Sequence, residues 1–499
     1  MQLHPTDVQH LTATLARKIE KRRPAIATHV RYMRGEQGKL AFASDEFKRY
    51  YSARFSSFSD NWCAPVIEAC AERITFKGLQ PTGNQPVPAS VMRAWDASDA
   101  DRGFAEAVTM MMATGRAYGL VTQKPQGGAR ISFENPDSCA VTYDAWTGEP
   151  VAGLCVRFDD RREYASLFTP DAVYRLDRAR PGFLDDSDRR LPPDVEGWAF
   201  RDGSPNPLGA VPLIEFRNAC LLDARPQSDL AQVEPMQDAV NLVWAYLLNS
   251  LDYATLPSRV ILGGDSIVEP VFDDEGKKVG TRPAQLDKTL NERILQLTGA
   301  GVKIDEWTPS SLDAFIPVIE KAVEHIAAET RTPGHYLLTK SEVPATGYDA
   351  SEAGLVSKAN ERIGFLRHGI REMLRLTALT EGDADGATVV AASKPVFASP
   401  LYRSDTQLMD ALLKAKQIGF PTRWLFEQYG LSPDEVERVM RMAEEEAMDT
   451  DLENATNALK ELAGNDGNDE TGGSTAPHEP DGPARAPALV GQGRQLRNR

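Results

Sequence analysis

The sequence predicts an α+β fold divided into several structural regions. Long segments in both halves of the chain place apolar residues at helical spacing on one side only. Between residues 129 and 200, short alternating segments separated by turn residues are typical of an antiparallel β meander. At 499 residues the chain exceeds the usual size of one domain. Two or more substructures, each with its own core, are therefore expected.

The N-terminal region begins with helical patterns. Residues 5–51 are predicted to be helical, with Thr6 and Asp7 as the N-terminal cap. The segment NWCAPVIEACAERI predicts a second helix, and SVMRAWDASDADRGFAEAVTMMMATG predicts a third. The change of period at Gly115 then predicts a strand from near Arg116.

Short strands dominate the next region. The predicted strands are ARISFEN, CAVTYDA, VAGLCVRF, EYASLFT, AVYRLD and GWAFR. Asn135-Pro136-Asp137 and Thr147-Gly148-Glu149-Pro150 provide turn chemistry between them. The proline-limited extended segment SPNPLGAVPLIEFRN is expected to close the region.

A long one-sided helix is predicted after Ser228 and Asp229, which can cap it, and it ends near Pro257. SRVILGG is then predicted to be a strand. The insertion up to Trp307 contains the hairpin-like turn DDEGKK and a last strand near GVKIDEW. The apolar positions of the helix are Val233, Met236, Val240, Val243, Trp244, Leu247, Leu248 and Leu251.

The next helix is predicted from Leu312 to Glu329. Thr332-Pro333-Gly334 ends it, because proline cannot continue the backbone ladder and Gly334 can adopt a left-handed exit. A loop of mixed polarity follows. Ser351 is the predicted N-cap of the long helix after that loop.

The C-terminal part changes character twice. Beyond Gly382, a polar break precedes short helices with predicted caps at Ser404 and Ser432. Residues 465–499 are too polar and too rich in Gly and Pro to fold alone, and are predicted to be disordered.

The composition limits the classes of function that the chain can have. The chain has 72 acidic and 56 basic side chains, a formal charge of −16, which argues against binding nucleic acid by extensive phosphate neutralisation. Any contact with DNA is expected to be transient or local. The cysteines form no CxxC pair and are interpreted as buried free thiols in a reducing cytoplasm. They are Cys63, Cys70, Cys139, Cys155 and Cys220.

No signal peptide or transmembrane span is predicted. The N-terminal segment has no apolar stretch of the kind found in signal peptides. The most apolar segment, AVNLVWAYLLNSL, is shorter than the roughly 20 residues that cross a bilayer.

Motifs for catalysis, metals and cofactors are missing from the sequence. It contains no GxxxxGK[ST], HExxH, GxSxG or strand-following GxGxxG pattern. His325 and His335 lack the spacing of a metal site on one helix face, and the acidic runs DDEGKK and AEEEAMDTD are interpreted as solvated charge. No catalytic residue, metal site or cofactor is therefore predicted.

The order of the elements resembles a known family. The helix-to-strand segment from SDLAQVEP to SRVILGG, the helix SLDAFIPVIEKAVEHIAAETRTPGHYLL and the helix YDASEAGLVSKANERIGFLRHGI carry the resemblance. ATGRAYGLV and NPLGAVPLIEFRN agree with it. Together they resemble portal proteins of tailed double-stranded DNA phages, in the subfamily of long-tailed siphophages, in order from Pro5 to Gly464.

The resemblance implies a portal-type subunit with a helical stem, an α/β clip insertion, a mixed α/β wing with the antiparallel meander, and a helical crown. The implied regions are 1–227 wing, 228–255 first stem helix, 256–311 clip, 312–331 second stem helix, 332–350 tunnel loop, 351–399 long wing helix and return segment, and 400–464 crown. Residues 465–499 form the tail. Two one-sided helices cannot bury their apolar stripes alone, which favours packing between copies.

The resemblance also implies two functional sites. The loop projecting toward DNA comprises Leu337, Leu338, Thr339, Lys340, Ser341, Glu342, Thr346 and Tyr348, with Lys340 as the expected phosphate contact. Glu342 and Asp349 reduce its basic character, and an ordinary surface loop is the alternative. Basic residues of the clip are expected to dock partners. These are Arg259, Lys277, Lys278, Arg282, Lys288 and Arg293.

The function implied is a ring, commonly of twelve subunits, around a DNA channel at one capsid vertex of the virion. Its partners would be double-stranded DNA, the terminase large subunit, head-completion or adaptor proteins, and capsid and scaffolding proteins, with assembly in the host cytoplasm and no membrane. The chain is expected to be structural and not an enzyme. The alternatives are another phage head structural or adaptor protein, and a cytoplasmic α+β enzyme using scattered carboxylates.

Overall fold

The computed structural model describes residues 3–37, 40, 42–45, 47–49, 58–82, 85–179, 197–222, 225–255, 259–262, 268–283, 294–297, 303–306, 312–338, 348–401 and 405–464. These residues form helices and mainly antiparallel sheets, which confirms the α+β prediction. The chain divides into two compact units, residues 1–436 and 437–499. In the described residues no helix is long and apolar enough to cross a membrane.

The first helix is shorter than predicted. α1 (Pro5–Arg34) ends because Gly35 adopts a left-handed conformation with φ 72°. The prediction of helix from residue 5 to about residue 51 is therefore correct only in part: the helix is interrupted after Arg34, and residues 45 and 47–49 are helical again. The predicted cap is wrong. His4 is the N-cap, and its side chain accepts a hydrogen bond from the backbone N–H of Thr6.

Helices and a strand follow α1 and contribute to the apolar cluster that we call the main core, which includes Val108, Met111, Phe216 and Ile370. They are α2 (Cys63–Ala71), β1 (Phe76–Gln80), α3 (Ala89–Asp96) and α4 (Ala100–Thr114). α4 ends at Gly115, whose φ is 89°, and the next strand begins at Arg116, as the sequence predicts.

Two antiparallel sheets form the β-rich part. The first has the order β3-β2-β9, with β2 (Arg116–Gln123), β3 (Ala129–Glu134) and β9 (Leu213–Arg217). The second is a five-stranded meander in sequence order, β4 (Cys139–Tyr143), β5 (Pro150–Phe158), β6 (Arg162–Phe168), β7 (Ala172–Ala179) and β8 (Ala199–Pro205). The meander is thus confirmed. The segment ARISFEN, however, pairs with β2 in the first sheet, through a turn in which Gly127 and Gly128 have positive φ.

The meander is covered on both faces. Apolar residues of α1, including Leu15 and Ile19, pack with Leu154, Leu167 and Trp198. A second cluster fills the space toward the β3-β2-β9 sheet, with Cys139 and Cys155 among its members. Both clusters exclude water from the sheet and stabilise it.

The chain then forms α5 (Glu234–Thr255) and a set of short strands. These are β10 (Arg259–Leu262), β11 (Val268–Phe272), β12 (Lys278–Pro283), β13 (Ile294–Leu297) and β14 (Lys303–Glu306). β10 pairs in parallel with β13 and antiparallel with β14. β11 and β12 form the predicted hairpin, whose turn is closed by backbone N–H groups donating to Asp273 and by Gly276 at φ 79°.

The remaining helices and one strand complete the fold. They are α6 (Phe315–Thr330), α7 (Gly334–Leu337), α8 (Tyr348–Thr380), α9 (Ala384–Ala392), β15 (Lys394–Phe397), α10 (Asp405–Gln417), α11 (Thr422–Tyr429) and α12 (Pro433–Gly464). β15 pairs antiparallel with β1, so the chain returns here to a strand of its N-terminal part.

The predicted caps have different outcomes. Ser432 is confirmed: its hydroxyl accepts from the N–H of Glu435, and the Glu435 carboxylate accepts from the N–H of Ser432. Ser351 is not a cap, because α8 already begins at Tyr348. Ser404 and the predicted disordered tail, 465–499, lie outside the described residues.

α8 lies at the centre of the main core and approaches β9 closely. An ideal Cβ at Gly369 of α8 would be 2.5 Å from Phe216 Cε1. Replacing Gly369 with Ala is expected to lower the free energy of unfolding by about 1–3 kcal/mol through overpacking. On the same helix, a Cβ at the exposed Gly364 would meet nothing within 4 Å. Gly364→Ala should raise stability by up to about 1 kcal/mol. Urea denaturation checks both, and a fully stable Gly369→Ala would contradict the close packing.

Candidate functional site

The site that the sequence singles out begins at the end of α6. The Thr330 hydroxyl donates to Ile326 O at 2.7 Å, and Arg331 adopts the left-handed conformation with φ 57°. The predicted end of the helix is therefore correct to within two residues. The predicted left-handed exit at Gly334 is wrong, because Gly334 starts the short helix α7.

Three side chains from distant segments meet beside α7, and we call Arg73, Tyr336 and Glu352 the loop-base cluster. Arg73 Nη2 donates to Tyr336 Oη at 2.6 Å and to Glu352 Oε2 at 2.9 Å. Tyr336 Oη donates to Glu352 Oε1 at 3.3 Å. Although burial opposes the charge of Arg73, hydrogen bonds with these partners raise the pKa of Arg73 above its usual value. The cluster thus joins the chain before residues 339–347 to the chain after them.

A second group of charges is more deeply buried, and we call Asp229, Lys358 and Arg362 the charge cluster. Asp229 Oδ1 accepts from Arg362 Nη2 at 2.9 Å, and Lys358 Nζ lies 3.3 Å from Asp229 Oδ2. The side chains of all three are at most 7% exposed. Asn218 Nδ2 also donates to Asp229 Oδ1, at 2.8 Å. Asp229 is therefore the anchor of an ion cluster, and not the helix cap that the sequence predicts.

The electrostatics of the charge cluster favour the ionised form. Burial by itself would raise the pKa of Asp229, but the positive charges of Lys358 and Arg362, with hydrogen bonds from Asn218 and Arg362, hold that pKa below its usual value. Lys358 Nζ also donates to the carbonyl of Thr330, the last residue of α6, at 3.4 Å. The entry to α5 and the end of α6 are thus both attached to α8.

The two helices predicted as a stem are in contact with each other. On α5, Val233 precedes the first turn and is buried with Val240, as expected from the pattern. On α6, Ile319 and Ile326 are buried, but Ile316 and Val318 are each 53% exposed. Leu251 near the end of α5 is 43% exposed. In the single chain, the two helices therefore leave some apolar side chains exposed. We call Leu251, Ile316 and Val318 the exposed stem residues.

The predicted loop residues are only partly described. Leu337 is buried, and Leu338 packs against the main core. Tyr348 is the first residue of α8. Outside the described residues lie Thr339, Lys340, Ser341, Glu342 and Thr346.

The predicted clip residues lie on two separate sheets. Lys277 and Lys278 are exposed at the β11-β12 hairpin, and Arg282 follows on β12. Arg259 is on β10. Lys288 and Arg293 lie outside the described residues. Two of the predicted cations, which are neighbours in the sequence, are therefore exposed at one hairpin.

Comparison of the sequence with known proteins gives a family match and two similar relatives. The family model described as "Phage portal protein, SPP1 Gp6-like" matches residues 25–452. The portal protein of Mycobacterium phage D29 is 23% identical over 403 residues, which are 76% of this chain and 78% of the relative. The portal protein of Mycobacterium phage L5 is 24% identical over 400 residues, with the same coverage.

Solved structures of gene transfer agent (GTA) particles are also similar to this chain. The neck of an empty GTA particle, computed with C6 symmetry, has 14% identity and a TM-score of 0.42, covering 81% of this chain and 94% of the other. The neck of a native GTA particle, computed with C12 symmetry, has 15% identity and a TM-score of 0.37, covering 82% and 99%. The family model, which spans far more than half of the sequence, shows that this chain belongs to the SPP1 Gp6-like family of phage portal proteins.

Proposed function

We propose that this protein forms the ring-shaped DNA channel at one vertex of a phage capsid and serves genome packaging and ejection. Family membership supports this proposal and favours it over the adaptor and enzyme alternatives. The observation that carries it is the attachment of α5 and α6 to α8 through the charge cluster, with Leu251, Ile316 and Val318 left exposed. Neighbouring copies packed side by side would cover these apolar side chains.

The regions are proposed to follow the family arrangement. Residues 1–227 would form the wing and 400–464 the crown, with α8 as the long wing helix. The stem is assigned to α5 and α6, the clip to 256–311, and the tunnel loop to the connection between Leu338 and α8. The formal charge of −16 on each chain supports the proposal that DNA slides through the channel without adhering to it, because an acidic wall repels phosphates.

The partners are proposed by region. The terminase large subunit would dock at the clip, where Lys277 and Lys278 are exposed on one hairpin. Head-completion or adaptor proteins would attach after packaging, and capsid and scaffolding proteins would surround the ring at the vertex. The ring would assemble in the host cytoplasm and remain in the virion. Its role is structural, with terminase supplying the energy of DNA movement.

Multi-angle light scattering and negative-stain imaging test the ring. The purified full chain is expected to give rings with an axial hole and a mass near twelve times 54.8 kDa. The double substitution Ile316→Asp/Val318→Asp should shift the population to monomers, because burying new charges at a subunit contact is unfavourable. Lys321→Gln, an exposed polar change on the same helix, should leave the rings intact. A wild-type chain that stays monomeric at every salt concentration, with scaffolding protein present, would overturn the proposal.

A further inference from the structure

Two cysteines face each other across the first two strands of the meander. Cys139 on β4 and Cys155 on β5 are register partners. The N–H of Val156 donates to Ser138 O at 2.8 Å, so the neighbouring pair is hydrogen-bonded. Because such pairs alternate, Cys139 and Cys155 form a non-hydrogen-bonded pair, in which the Cα atoms are about 4.5 Å apart and side chains are closest. That separation is within the range of about 4.4–6.8 Å found in disulfides.

Both sulfur atoms belong to a compact polar group inside an apolar cluster. The two Sγ atoms and a carboxylate oxygen of Glu134 lie within 4.8 Å of one another, and both cysteines are free thiols. Arg157 Nη2 donates to Glu134 Oε1 at 2.6 Å. A guanidinium at this distance disfavours a divalent cation on the same carboxylate. The group is therefore better suited to thiol chemistry than to metal binding.

The two thiols are not equivalent. A hydrogen bond from Cys139 lowers the pKa of Cys155 below its usual value despite burial, and the positive charge of Arg157 acts in the same direction. Burial and the same hydrogen bond raise the pKa of Cys139. Elsewhere, burial raises the pKa of Cys70 to about 11. Since the thiolate is the nucleophile, Cys155 is the more reactive sulfur of the pair.

Cys155 also lines a cavity of about 630 Å³. Among the described lining residues, the charged side chains are all arginines: Arg130, Arg157 and Arg175. Arg157 and Arg175 are 64% and 70% exposed, so the cavity opens to solvent on this side, but they pair with Glu134 and Asp202, which neutralises part of the positive charge. With Arg130, the remaining positive charge favours a small anionic molecule over a cationic one at this opening.

We propose that Cys155 is a redox-modifiable thiol with Cys139 as its resolving partner, and that its reagent is an anionic low-molecular-weight disulfide. The Cys155 thiolate attacks one sulfur of the reagent, forming a mixed disulfide and releasing one thiolate. Cys139 then gives up its proton and attacks Cys155 Sγ, which releases the second thiol. The two protein thiols are oxidised and the reagent disulfide is reduced to two thiols. The product links β4 to β5.

The cross-link would act after assembly. Thiols stay reduced in cytoplasm and are oxidised outside it, so the disulfide would form when a particle leaves the cell. It would close the β4-β5 hairpin and stabilise the meander by restricting the unfolded chain. A raised melting temperature of the oxidised protein is therefore expected.

Peptide mass spectrometry after alkylation tests the proposal. The reduced full-length protein is incubated with glutathione disulfide, then denatured and alkylated. The expected result is a Cys139–Cys155 cross-link, with Cys63 and Cys70 still alkylated. Cys139→Ala should retain one glutathione adduct at Cys155, whereas Cys155→Ala should gain none at Cys139. Cys70→Ala, the matched control, should form the cross-link as the wild type does.

A cationic reagent separates the role of the cavity from simple thiol reactivity. Cystamine, a cationic disulfide, should react at least about tenfold more slowly than glutathione disulfide at low salt, because the arginines repel it. Equal rates would overturn anion recognition by the cavity. A wild-type protein whose Cys139 and Cys155 stay fully alkylated would overturn the redox pair itself. So would Zn²⁺ bound at one ion per chain that blocks alkylation of both thiols.

Discussion

Replacing Asp229 with Asn is expected to lower the free energy of unfolding by about 3–5 kcal/mol, because it breaks a buried ion cluster. The substitution keeps the size of the side chain but removes its charge. Lys358 and Arg362, at 6% and 7% exposure, would then lose the buried counter-ion that they share, and Arg362 would keep only the partly exposed Glu361, 3.2 Å away. Urea denaturation followed by circular dichroism measures the effect.

An exposed ion pair provides the matched control. Lys414 Nζ and Asp410 Oδ2 are 2.6 Å apart, but their side chains are 70% and 63% exposed. Asp410→Asn should change stability by no more than about 0.5 kcal/mol, since water already screens this pair. If the two Asp→Asn substitutions cost the same, the charge cluster does not anchor the fold.

The effect should depend on pH in one direction. The pKa of Asp229 in the folded chain lies below its usual value. The stabilisation is therefore fully present above the unfolded pKa of about 3.9 and is lost as the pH falls through the lower folded pKa. The stability difference between wild type and Asp229→Asn should be constant near neutral pH and shrink in acid. A difference that grows in acid would show that another group dominates.

Local signals in this sequence were sufficient where the structure depends on near neighbours. The cap at Ser432 is correct because its partner, Glu435, is three residues away. The strand after Gly115 and the hairpin closed by Asp273 are also set by adjacent residues. The meander follows from alternation within each strand, and the pairing from β4 to β7 follows from short turns between them. β8 is the exception, because residues 180–198 separate it from β7.

The contacts that the sequence did not predict are those between distant parts of the chain. Asp229 looks like a cap because it precedes a helix, yet Arg362, its partner, is 133 residues away. Arg73 and Tyr336 are 263 residues apart. A single sequence does not show which charges meet across such distances. The one usable signal was the spacing of Lys358 and Arg362, four residues apart on α8, which puts two cations on one helix face.

The same reasoning explains which loop residues can be removed. The connection expected to face DNA starts after Leu338, which packs against the main core and donates its N–H to Gly334 O at 2.7 Å. It ends at α8, where Glu352 is held by Arg73 and Tyr336. Both ends are therefore fixed independently of residues 339–347.

Deleting residues 339–346 is expected to leave ring assembly intact and to abolish DNA packaging. Assembly should persist because the loop-base cluster, the charge cluster and the exposed stem residues are all retained. Packaging should fail because the proposed contact surface, including Lys340, is gone. Negative-stain imaging measures the first result, and DNase-protected DNA in a terminase-driven packaging reaction measures the second.

Two further variants test whether Lys340 itself contacts the DNA. Lys340→Ala should slow packaging if the loop meets phosphates through that side chain, and should weaken its dependence on salt. Lys321→Gln, which removes a cation from α6 and leaves residues 339–346 unchanged, should package normally. Wild-type packaging by the deletion would show that the loop does not act on DNA. Loss of rings would instead assign residues 339–346 to contacts between subunits, since the anchoring clusters lie outside the deleted segment.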